Sequence, residues 1–556
     1  MTIEEWQSYS VYQIYPKSFN DANGDGFGDI EGIREKIPYL KKLGIDMIWI
    51  TPIQPSPQKD NGYDISEYCA INPQYGTLLE FKQLLNDLHE VGIKLMMDMV
   101  LNHTSTEHQW FQAAKQSRSH PYHDYYIWQE GTPAQPPTNW QSKFGGSSWG
   151  YNEATAEYYL HLFDTTQADL NWRNPSVRAE IKKILRFWAE LGVDGFRLDV
   201  INLISKPTLF LNDDEGDGRR FYTDGKQVES YLKELNEEIF SPYGILTVGE
   251  MSSTSMAACI EYTKPANNEL SMTFNFHHLK VDYRDGDKWQ LMPMNISALK
   301  ALLSDWQRGM QAKGGWNALF WCNHDQPRIV SRYGNDSDEY RELSAKMLAL
   351  VLHGLQGTPY IYQGEEIGMT NPDWHAIDEF EDVETLNQFE LIQQKGQTAD
   401  EAFAAVSARS RDNGRTPVQW DASQQAGFTT GKPWLKIASN YTKINVAECL
   451  SRADSIFYFY QKLIALRKVE ATLITGQFRR YDRPEEGVFA YDRIAGDEVI
   501  RVVANFTDQP VVFEWATPIH LAETLLTNYE GDATNDQTKL TLRPYESIMW
   551  KGTVVV

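Results

Sequence analysis

The sequence is poor in features that would each define a class of protein. Its 556 residues hold only four cysteines, Cys69, Cys259, Cys322 and Cys449. They lie far apart and form no C-x-x-C pair, which argues against a zinc site or a disulfide framework. No segment stays apolar for the ~18 residues of a membrane span, and the first residues lack the basic and apolar regions of a signal peptide. We therefore expect a cytoplasmic protein.

Positive charge is also scarce. Lysine and arginine number 52 against 76 aspartates and glutamates, which gives a net charge of −24 at pH 7. A field of this sign repels phosphate, so it argues against nucleic acid or an anionic membrane as the main partner. Any site for a phosphate must therefore be local.

Short β-branched and aromatic runs alternate with longer amphipathic ones, which is typical of βα units. Eight candidate strands lie at 11–16, 46–52, 93–100, 193–199, 245–250, 270–276, 317–323 and 358–363, and the clearest helical patterns are 32–43, 78–91 and 175–191. Eight units predict a TIM (β/α)8 barrel with its active site on the loops after the strands. A doubly wound open sheet is the alternative, and the lack of a Gly-rich phosphate loop after the first strand disfavours it.

Long interruptions of this alternation predict further domains. We expect the barrel to comprise 1–103 and 171–474, with a small inserted domain at 104–170 after the third strand. The polar stretch 370–450 is too long for a simple connection and predicts a helical excursion over the same face. Alternating runs in 475–556 predict a C-terminal antiparallel β-sandwich.

Three carboxylates close three of the predicted strands. Asp199 follows Gly-Phe-Arg-Leu, Glu250 follows Val-Gly, and Asp325 follows Asn-His. One aspartate before a helix proves nothing, because it is a common helix cap. Three in order, with Arg197 and His324 beside them, indicate a barrel enzyme that cleaves sugars.

Retaining glycoside hydrolysis needs two carboxyl groups about 5–5.5 Å apart, one as nucleophile and one as acid. We expect Asp199 to be held ionised by Arg197 and to attack the anomeric carbon. Glu250 has no basic sequence neighbour, so we expect a raised pKa and general acid/base work. Asp325 would bind sugar hydroxyls and distort the ring. The alternative for the set is helix capping or ion pairing in the core.

Four segments resemble the signature regions of the α-amylase family of glycoside hydrolases: 98–103 (DMVLNH), 195–199 (GFRLD), 248–250 (VGE) and 323–325 (NHD). Segments 167–171 (QADLN) and 411–417 (RDNGRTP) resemble the oligo-1,6-glucosidase group of that family. Longer runs at 218–225, 248–255 and 271–283 are similar to members that hydrolyse trehalose 6-phosphate. The resemblance spans nearly the whole chain and implies the same roles for the three carboxylates.

The resemblance also implies a pocket closed around a non-reducing glucose. Asp60 and Tyr63 would form its end, with Arg415 paired to Asp60, although such pairs are equally common as surface ion pairs. His103 and His324, at strand ends, would donate to sugar hydroxyls. A closed pocket predicts the release of one glucose at a time.

Segment 21–29 is the one candidate metal site. Oxygen-bearing side chains alternate with glycine, which suits Ca²⁺ or Mg²⁺, but Gly32 stands where an EF-hand has its bidentate Glu. The resemblance implies a structural cation held by Asp21, Asn23, Asp25, the Phe27 carbonyl and Asp29. A metal-free acidic turn is the alternative, and catalysis itself needs no metal or cofactor.

A basic cluster after the sixth strand predicts a phosphate site. His278 and Lys280 lie there, followed by Lys288, where the neutral-sugar relatives carry acidic residues. In a chain of charge −24 such a cluster indicates a bound anion. We predict that both lysines, assisted by His278, hold the 6-phosphate of the leaving glucose. The alternative is a solvated face with Lys280 paired to a nearby aspartate.

Three functions remain open. The first is hydrolysis of trehalose 6-phosphate to glucose and glucose 6-phosphate. The second is an α-1,6-glucosidase for neutral isomalto-oligosaccharides, with a sucrose-isomerising transferase as a weaker relative. The third, a non-catalytic family member, is opposed by the intact carboxylates and the missing membrane span. Val200 resembles the residue of relatives that avoid α-1,4 bonds, which disfavours a maltase. We expect a monomer whose partner is the phosphorylated disaccharide.

Overall fold

The computed structural model describes residues 4–481, 486–515, 517, 519–531 and 539–554. Within them, eight parallel strands form the central sheet: Val11–Ile14, Met47–Ile50, Lys94–Val100, Gly195–Asp199, Leu246–Glu250, Met272–Phe274, Ala318–Leu319 and Thr358–Tyr362. They pair in the order sixth, fifth, fourth, third, second, first, eighth, seventh. A parallel bridge between Thr273 and Asn317 joins the sixth strand to the seventh. The sheet is therefore a closed barrel, as predicted.

The strands form because their side chains are apolar on both faces. Every residue of the barrel strands except Lys94 is buried, as expected for a parallel sheet filled by side chains inside and covered outside. Helix Leu78–Glu90 begins at a capping box of Thr77 and Glu80 and buries Phe81 with three leucines. These packed elements fix the ends of the strands, where the site lies.

The helical patterns also match the chain, with one difference. The pattern 32–43 forms two helices, Ile30–Glu35 and Ile37–Leu43, that meet at Lys36. Pro38 explains the break, because its ring clashes with a carbonyl one turn earlier. The other α-helices are Gln109–Ala114, Pro175–Leu191, Val228–Leu235, Ser241–Tyr243, Met256–Thr263, Ile296–Lys313, Ile329–Tyr333, Arg341–His353, Val383–Gln394, Ala399–Arg409, Asp412–Arg415, Val446–Ser451, Ile456–Val469 and Ala471–Thr475. No helix in the described ranges is both long and apolar enough to span a membrane.

A small antiparallel sheet stands between the third and fourth barrel strands. Its strands are Trp128–Glu130, Trp149–Asn152 and Glu157–Leu160. Strands His103–Ser105 and Gln167–Asp169 pair where the chain leaves and re-enters the barrel. The apolar side chains of this region pack on Val200 and Leu203. The insertion is therefore anchored on the loop that follows Asp199.

The C-terminal strands form two antiparallel sheets in the described residues. The larger contains Gln477–Arg480, Val488–Ala495, Glu498–Asn505, Ser547–Val554 and Ile519–Thr527, and the smaller Val511–Glu514 and Lys539–Leu542. Phe513, Leu540 and Leu542 of the smaller sheet share an apolar core with Val503 and Ile548 of the larger. The two sheets thus pack face to face, as in a sandwich.

Candidate active site

Asp199 and Glu250 meet because the fourth and fifth barrel strands pair, with Val248 opposite Arg197. The Arg197 guanidinium lies between the two carboxyls: Nη1 is 2.7 Å from Asp199 Oδ1, and Nη2 is 2.7 Å from Glu250 Oε2. Both carboxyls are only 6% exposed. The Val200 amide donates to Glu250 Oε2 at 3.1 Å. The expected pair of carboxylates thus stands at the strand ends, held by one arginine.

The pKa of Asp199 is set by opposing influences, and Arg197 acts on it in the expected direction. Burial raises it well above its usual range, Arg197 lowers it, and the adjoining Glu250 carboxyl, hydrogen-bonded to Asp199, raises it again. The 2.7 Å contact with the Arg197 guanidinium opposes the upward shift that burial and the second carboxyl produce in the pKa of Asp199.

Asp325 is ionised by a cage of basic groups. Arg415 Nη2 lies 2.7 Å and Arg411 Nη1 3.5 Å from Asp325 Oδ1, and His324 Nε2 is 3.4 Å from Oδ2. Burial raises the pKa of this carboxyl, but His324, where it is protonated at low pH, and the two arginines reverse the shift, and the net pKa is lowered. At pH 7 the two arginines keep the carboxylate ionised. A fixed carboxylate of this kind can accept hydrogen bonds from sugar hydroxyls.

The ion pair at Asp60 differs from the expected one. Arg411, not Arg415, bonds Asp60, with Nη2 2.9 Å from Oδ1, and Gln167 Nε2 donates to Oδ2 at 3.0 Å. Arg411 and Arg415 lie four residues apart, so they share one face of a helical turn. Arg411 pairs with Asp60 and, at the longer distance of 3.5 Å, with Asp325, whereas Arg415 pairs with Asp325. Burial raises the pKa of Asp60 to about 6 against the pull of both arginines.

The aromatic members of the predicted site cluster as expected from the strand ends. Tyr63 stacks on His324 with ring centroids 5.1 Å apart, and its hydroxyl donates to Asp98 Oδ2 at 2.9 Å. His103 Nε2 is 3.1 Å from the Tyr63 carbonyl oxygen. Burial lowers the pKa of His103 to about 4 and of His324 to about 3. Both rings are therefore neutral hydrogen-bonding groups at pH 7.

Four residues of the site had no role assigned from the sequence. Asp98 lies opposite Arg197 on the third strand and bonds its Nη1 at 2.7 Å. Gln167 and Arg411 are the first residues of the segments 167–171 and 411–417, so the family resemblance of those segments was a signal for them. Asp382, which bonds Arg411 at 2.5 Å, lies in the polar excursion and carried no signal.

The predicted phosphate residues separate in the structure. Burial and then the charge of Arg219 lower the pKa of Lys280, and burial, Arg219 and Lys280 lower the pKa of Lys143, so the three cations lie within electrostatic range of one another. Lys143 Nζ also donates to Ser252 Oγ at 3.0 Å, directly after the acid's strand. Lys143 and Arg219 were missed because they come from the insertion and from the loop after the fourth strand.

Two other members of that prediction are corrected. His278 is buried, its Nε2 lies 2.8 Å from the Phe320 carbonyl oxygen, and burial lowers its pKa to about 3. It offers no charge to a phosphate, so its assisting role is wrong. Lys288 Nζ pairs with Glu384 at 2.7 Å, so its charge is already compensated. Pairing with an acid was the alternative that the sequence left open for Lys280, and it applies to Lys288 instead.

The loop 21–29 is wrapped tightly around two aspartates. Asp21 accepts from the amides of Asn23, Gly24 and Gly26, and Asp29 from those of Ala22, Asn23 and Gly32. No group of three or more His, Cys, Asp or Glu side chains converges as a metal site among the described residues. Burial and the nearby Asp21 both raise the pKa of Asp29, and no described cationic side chain forms an ion pair with either. The negative charge of Asp21 and Asp29 is therefore not balanced by a cationic side chain, which is compatible with a bound metal ion. The carboxylates of the loop do not converge on a single point in this structure.

A closed barrel that carries a buried carboxyl pair and a caged third carboxylate at its strand ends defines a glycoside hydrolase. The profile "Alpha amylase, catalytic domain" matches residues 13–476, and "Maltogenic Amylase, C-terminal domain" matches 478–549. The chain belongs to the α-amylase family of glycoside hydrolases.

Individual relatives are similar along the whole chain. The chain is 53% identical to the trehalose-6-phosphate hydrolase of Bacillus subtilis (strain 168), over 99% of this chain and 98% of the relative. It is 47% identical to an oligo-1,6-glucosidase of Bacillus cereus, over 98% and 99%. The crystal structure of Bacillus licheniformis trehalose-6-phosphate hydrolase superposes with a TM-score of 0.94 at 51% identity, covering 99% of this chain and 100% of that one.

Proposed function

We propose that this chain hydrolyses trehalose 6-phosphate to glucose and glucose 6-phosphate with retention of configuration. The observation that carries the choice of substrate is the group of Lys143, Arg219 and Lys280 close to Glu250. Arg219 is already paired with Asp217 at 2.5 Å. Lys143 and Lys280 form no ion pair within the described residues, and a neutral isomalto-oligosaccharide would give these two cations no partner. The similarity to trehalose-6-phosphate hydrolases supports the same substrate.

The first half of the reaction uses one proton, carried by Glu250. Glu250 donates it to the glycosidic oxygen while Asp199 attacks the anomeric carbon, and the C–O bond to the leaving glucose 6-phosphate breaks. Arg197 at 2.7 Å stabilises Asp199 as a carboxylate until the ester bond forms. The product of this step is a glucosyl ester on Asp199.

The second half reverses the roles. Glu250, now ionised, takes a proton from water, whose oxygen attacks the anomeric carbon and releases Asp199. The Val200 amide, 3.1 Å from Glu250 Oε2, orients the carboxylate in this step. Two displacements at the same carbon retain its configuration.

The non-reducing glucose is bound at the end formed by Asp60, Arg411 and Asp325. These groups are linked by the Arg411 guanidinium, which contacts both carboxylates. Asp325, kept ionised by its basic neighbours, accepts hydrogen bonds from ring hydroxyls that strengthen as the ring flattens. Because this end is closed by ion pairs, one glucose is released at a time.

The leaving glucose 6-phosphate is bound on the opposite side of Glu250. Lys143 contacts Ser252, two residues after the acid, so its ammonium group lies beside the path of the leaving oxygen. A phosphate dianion there gains charge-assisted hydrogen bonds from Lys143 and Lys280, beside the Arg219–Asp217 ion pair. Phosphate binding therefore positions the scissile bond against the carboxyl pair.

The charge of Lys143 gives this site a pH dependence. Burial first, and then Arg219 and Lys280, lower the pKa of Lys143 to about 8. The ammonium form binds phosphate, so kcat/KM for trehalose 6-phosphate should fall as the pH rises through about 8. The ratio of this kcat/KM to that for an aryl glucoside, measured from pH 6.5 to 9.5, isolates the effect. A ratio that stays constant would contradict the assignment.

The reaction itself is tested by product analysis with NMR. We expect equal amounts of glucose and glucose 6-phosphate, with the α-anomer of glucose formed first. Appearance of the β-anomer first would contradict the retaining mechanism. Faster cleavage of isomaltose than of trehalose 6-phosphate would instead support the α-1,6-glucosidase function.

We further propose that loop 21–29 holds a structural Ca²⁺ or Mg²⁺ through Asp21, Asn23, Asp25, the Phe27 carbonyl and Asp29. A cation that binds only the native state stabilises it by about 2.7 kcal/mol at one hundred times its Kd. EDTA should therefore lower the Tm measured by calorimetry, and added Ca²⁺ or Mg²⁺ should restore it. The Asp25→Asn variant should respond to neither. An unchanged Tm of the wild type after prolonged chelation would contradict the site.

A further inference from the structure

A second cleft lies beside the loop that follows the nucleophile strand. Its volume is about 780 Å³, and its walls come from residues within 173–178, 205–208, 220–227 and 230–234. The described residues that line it include none of the catalytic carboxylates. Small-molecule sites typically have volumes of roughly 300–1,000 Å³, so the cleft is large enough for a monosaccharide derivative.

The lining of this second cleft is basic, although the chain is acidic. Two acidic residues, Asp224 and Glu234, face five cationic ones: Arg173, Arg178, Lys206, Arg220 and Lys226. The net charge of the whole chain is −24. Arg178 pairs with Glu234 at 2.9 Å, and Lys206 and Arg220 pair with acidic residues outside the cleft, Asp169 at 2.7 Å and Asp213 at 2.9 Å. Arg173 and Lys226 are exposed and form no ion pair within the described residues. Two uncompensated cations at one cleft favour an anionic ligand.

The rest of the wall suits a sugar. Phe221 and Tyr231 supply aromatic surface, and the hydroxyl groups of Ser205, Thr223 and Ser230 supply hydrogen bonds. The Thr223 hydroxyl oxygen is buried and has no hydrogen-bond partner among the described residues.

The cleft also touches the groups that hold the two catalytic loops together. Asp224, on its wall, accepts from Asn202 Nδ2 and from the Thr254 hydroxyl, each at 3.0 Å. Asn202 in turn exchanges two hydrogen bonds of 2.9 Å with the backbone of Ser252. Asn202 follows the nucleophile and Ser252 follows the acid, so a ligand in the cleft would stabilise their relative position.

We propose that this second cleft binds a hexose monophosphate, with the phosphate on Arg173 and Lys226 and the sugar on the Tyr231 and Thr223 wall. The proposal goes beyond the proposed function, because it holds whatever disaccharide the catalytic site cleaves. The ligand contacts residues that no step of the reaction uses.

Calorimetric titration with glucose 6-phosphate tests the proposal in a Lys143→Ala, Lys280→Ala background, which removes the phosphate contacts beside Glu250. We expect one remaining site, and we expect Arg173→Ala with Lys226→Ala to weaken it by about 10²-fold or more, the loss of two charge-assisted hydrogen bonds. Lys41→Ala with Lys82→Ala removes two exposed lysines elsewhere and should leave the affinity unchanged.

Two further ligands separate the phosphate from the sugar. Inorganic phosphate should bind the same site about tenfold more weakly, and glucose more weakly still. Equal affinity for inorganic phosphate would contradict the sugar contacts, and equal affinity for glucose would contradict the phosphate contacts. Undiminished binding in the Arg173→Ala, Lys226→Ala variant, or no binding in the starting background, would overturn the site.

Discussion

Asp199→Asn is expected to lower kcat on every substrate by at least about 10⁴-fold, the order of loss that follows removal of a nucleophile. The amide cannot form the glucosyl ester, so neither phosphorylated nor aryl glucosides can react. Glu250→Gln should behave differently, because a nitrophenolate leaves without a proton. In that variant, glucosyl-enzyme formation on a nitrophenyl glucoside should persist while trehalose 6-phosphate hydrolysis is lost. Single-turnover kinetics with both substrates provide the measurement.

The same pair of variants distinguishes a catalytic role from a structural one. Both carboxyls are buried in one contact, so a merely structural role would give equal losses on both substrates. Circular dichroism and the Tm should confirm that each variant is folded. Near-normal hydrolysis of trehalose 6-phosphate by Asp199→Asn would contradict the nucleophile assignment.

Lys143→Ala combined with Lys280→Ala is expected to lower kcat/KM for trehalose 6-phosphate by about 10²-fold or more. Each charge-assisted hydrogen bond contributes about 1.5–3 kcal/mol, and two are lost. Hydrolysis of an aryl glucoside should change little, because that substrate has no phosphate. Steady-state kinetics on both substrates measure the difference.

Lys288→Ala is the matched control for this experiment. Its ammonium group pairs with Glu384 at 2.7 Å, so its removal should cost trehalose 6-phosphate hydrolysis much less than the double substitution does. Equal losses of the double variant on both substrates would show that the lysines support the fold and not the phosphate. If Lys288→Ala lowered trehalose 6-phosphate hydrolysis more than the double substitution does, Lys288 would bind the phosphate, as predicted from the sequence.

The barrel could be predicted because its signal is local. Eight short apolar runs are buried on both faces, and each lies where the sequence predicted a strand. The three carboxylates could be placed for the same reason, because the residue that closes a parallel strand reaches one face of the barrel. Position along one strand was enough to infer position in the site.

Contacts between distant loops could not be predicted in this way. Arg411 and Arg415 lie one helical turn apart, so nothing in their spacing decides which of them meets Asp60. Lys143 comes from the inserted domain and Arg219 from another loop, and only the folded chain brings them near Lys280. The sequence predicted a basic site after the sixth strand but not the residues that complete it.

Burial was the other quantity that the sequence could not supply. His278 is next to His277 and close to Lys280 in the chain, yet its ring is packed on Phe320 and carries no charge. The pKa of Asp199 depends on how completely the carboxyl pair is removed from water, which outweighs the neighbouring Arg197. A basic or acidic neighbour in sequence therefore predicts the direction in which it shifts a pKa, but not whether burial outweighs that shift.

The central claim is that the chain selects a phosphorylated disaccharide, and a comparison of kcat/KM for three substrates tests it most directly. The wild-type enzyme should prefer trehalose 6-phosphate to trehalose by about 10²-fold or more, since the two differ only in the group that meets Lys143 and Lys280. Isomaltose should be a poorer substrate than trehalose 6-phosphate. Equal or faster hydrolysis of trehalose or isomaltose would contradict the account.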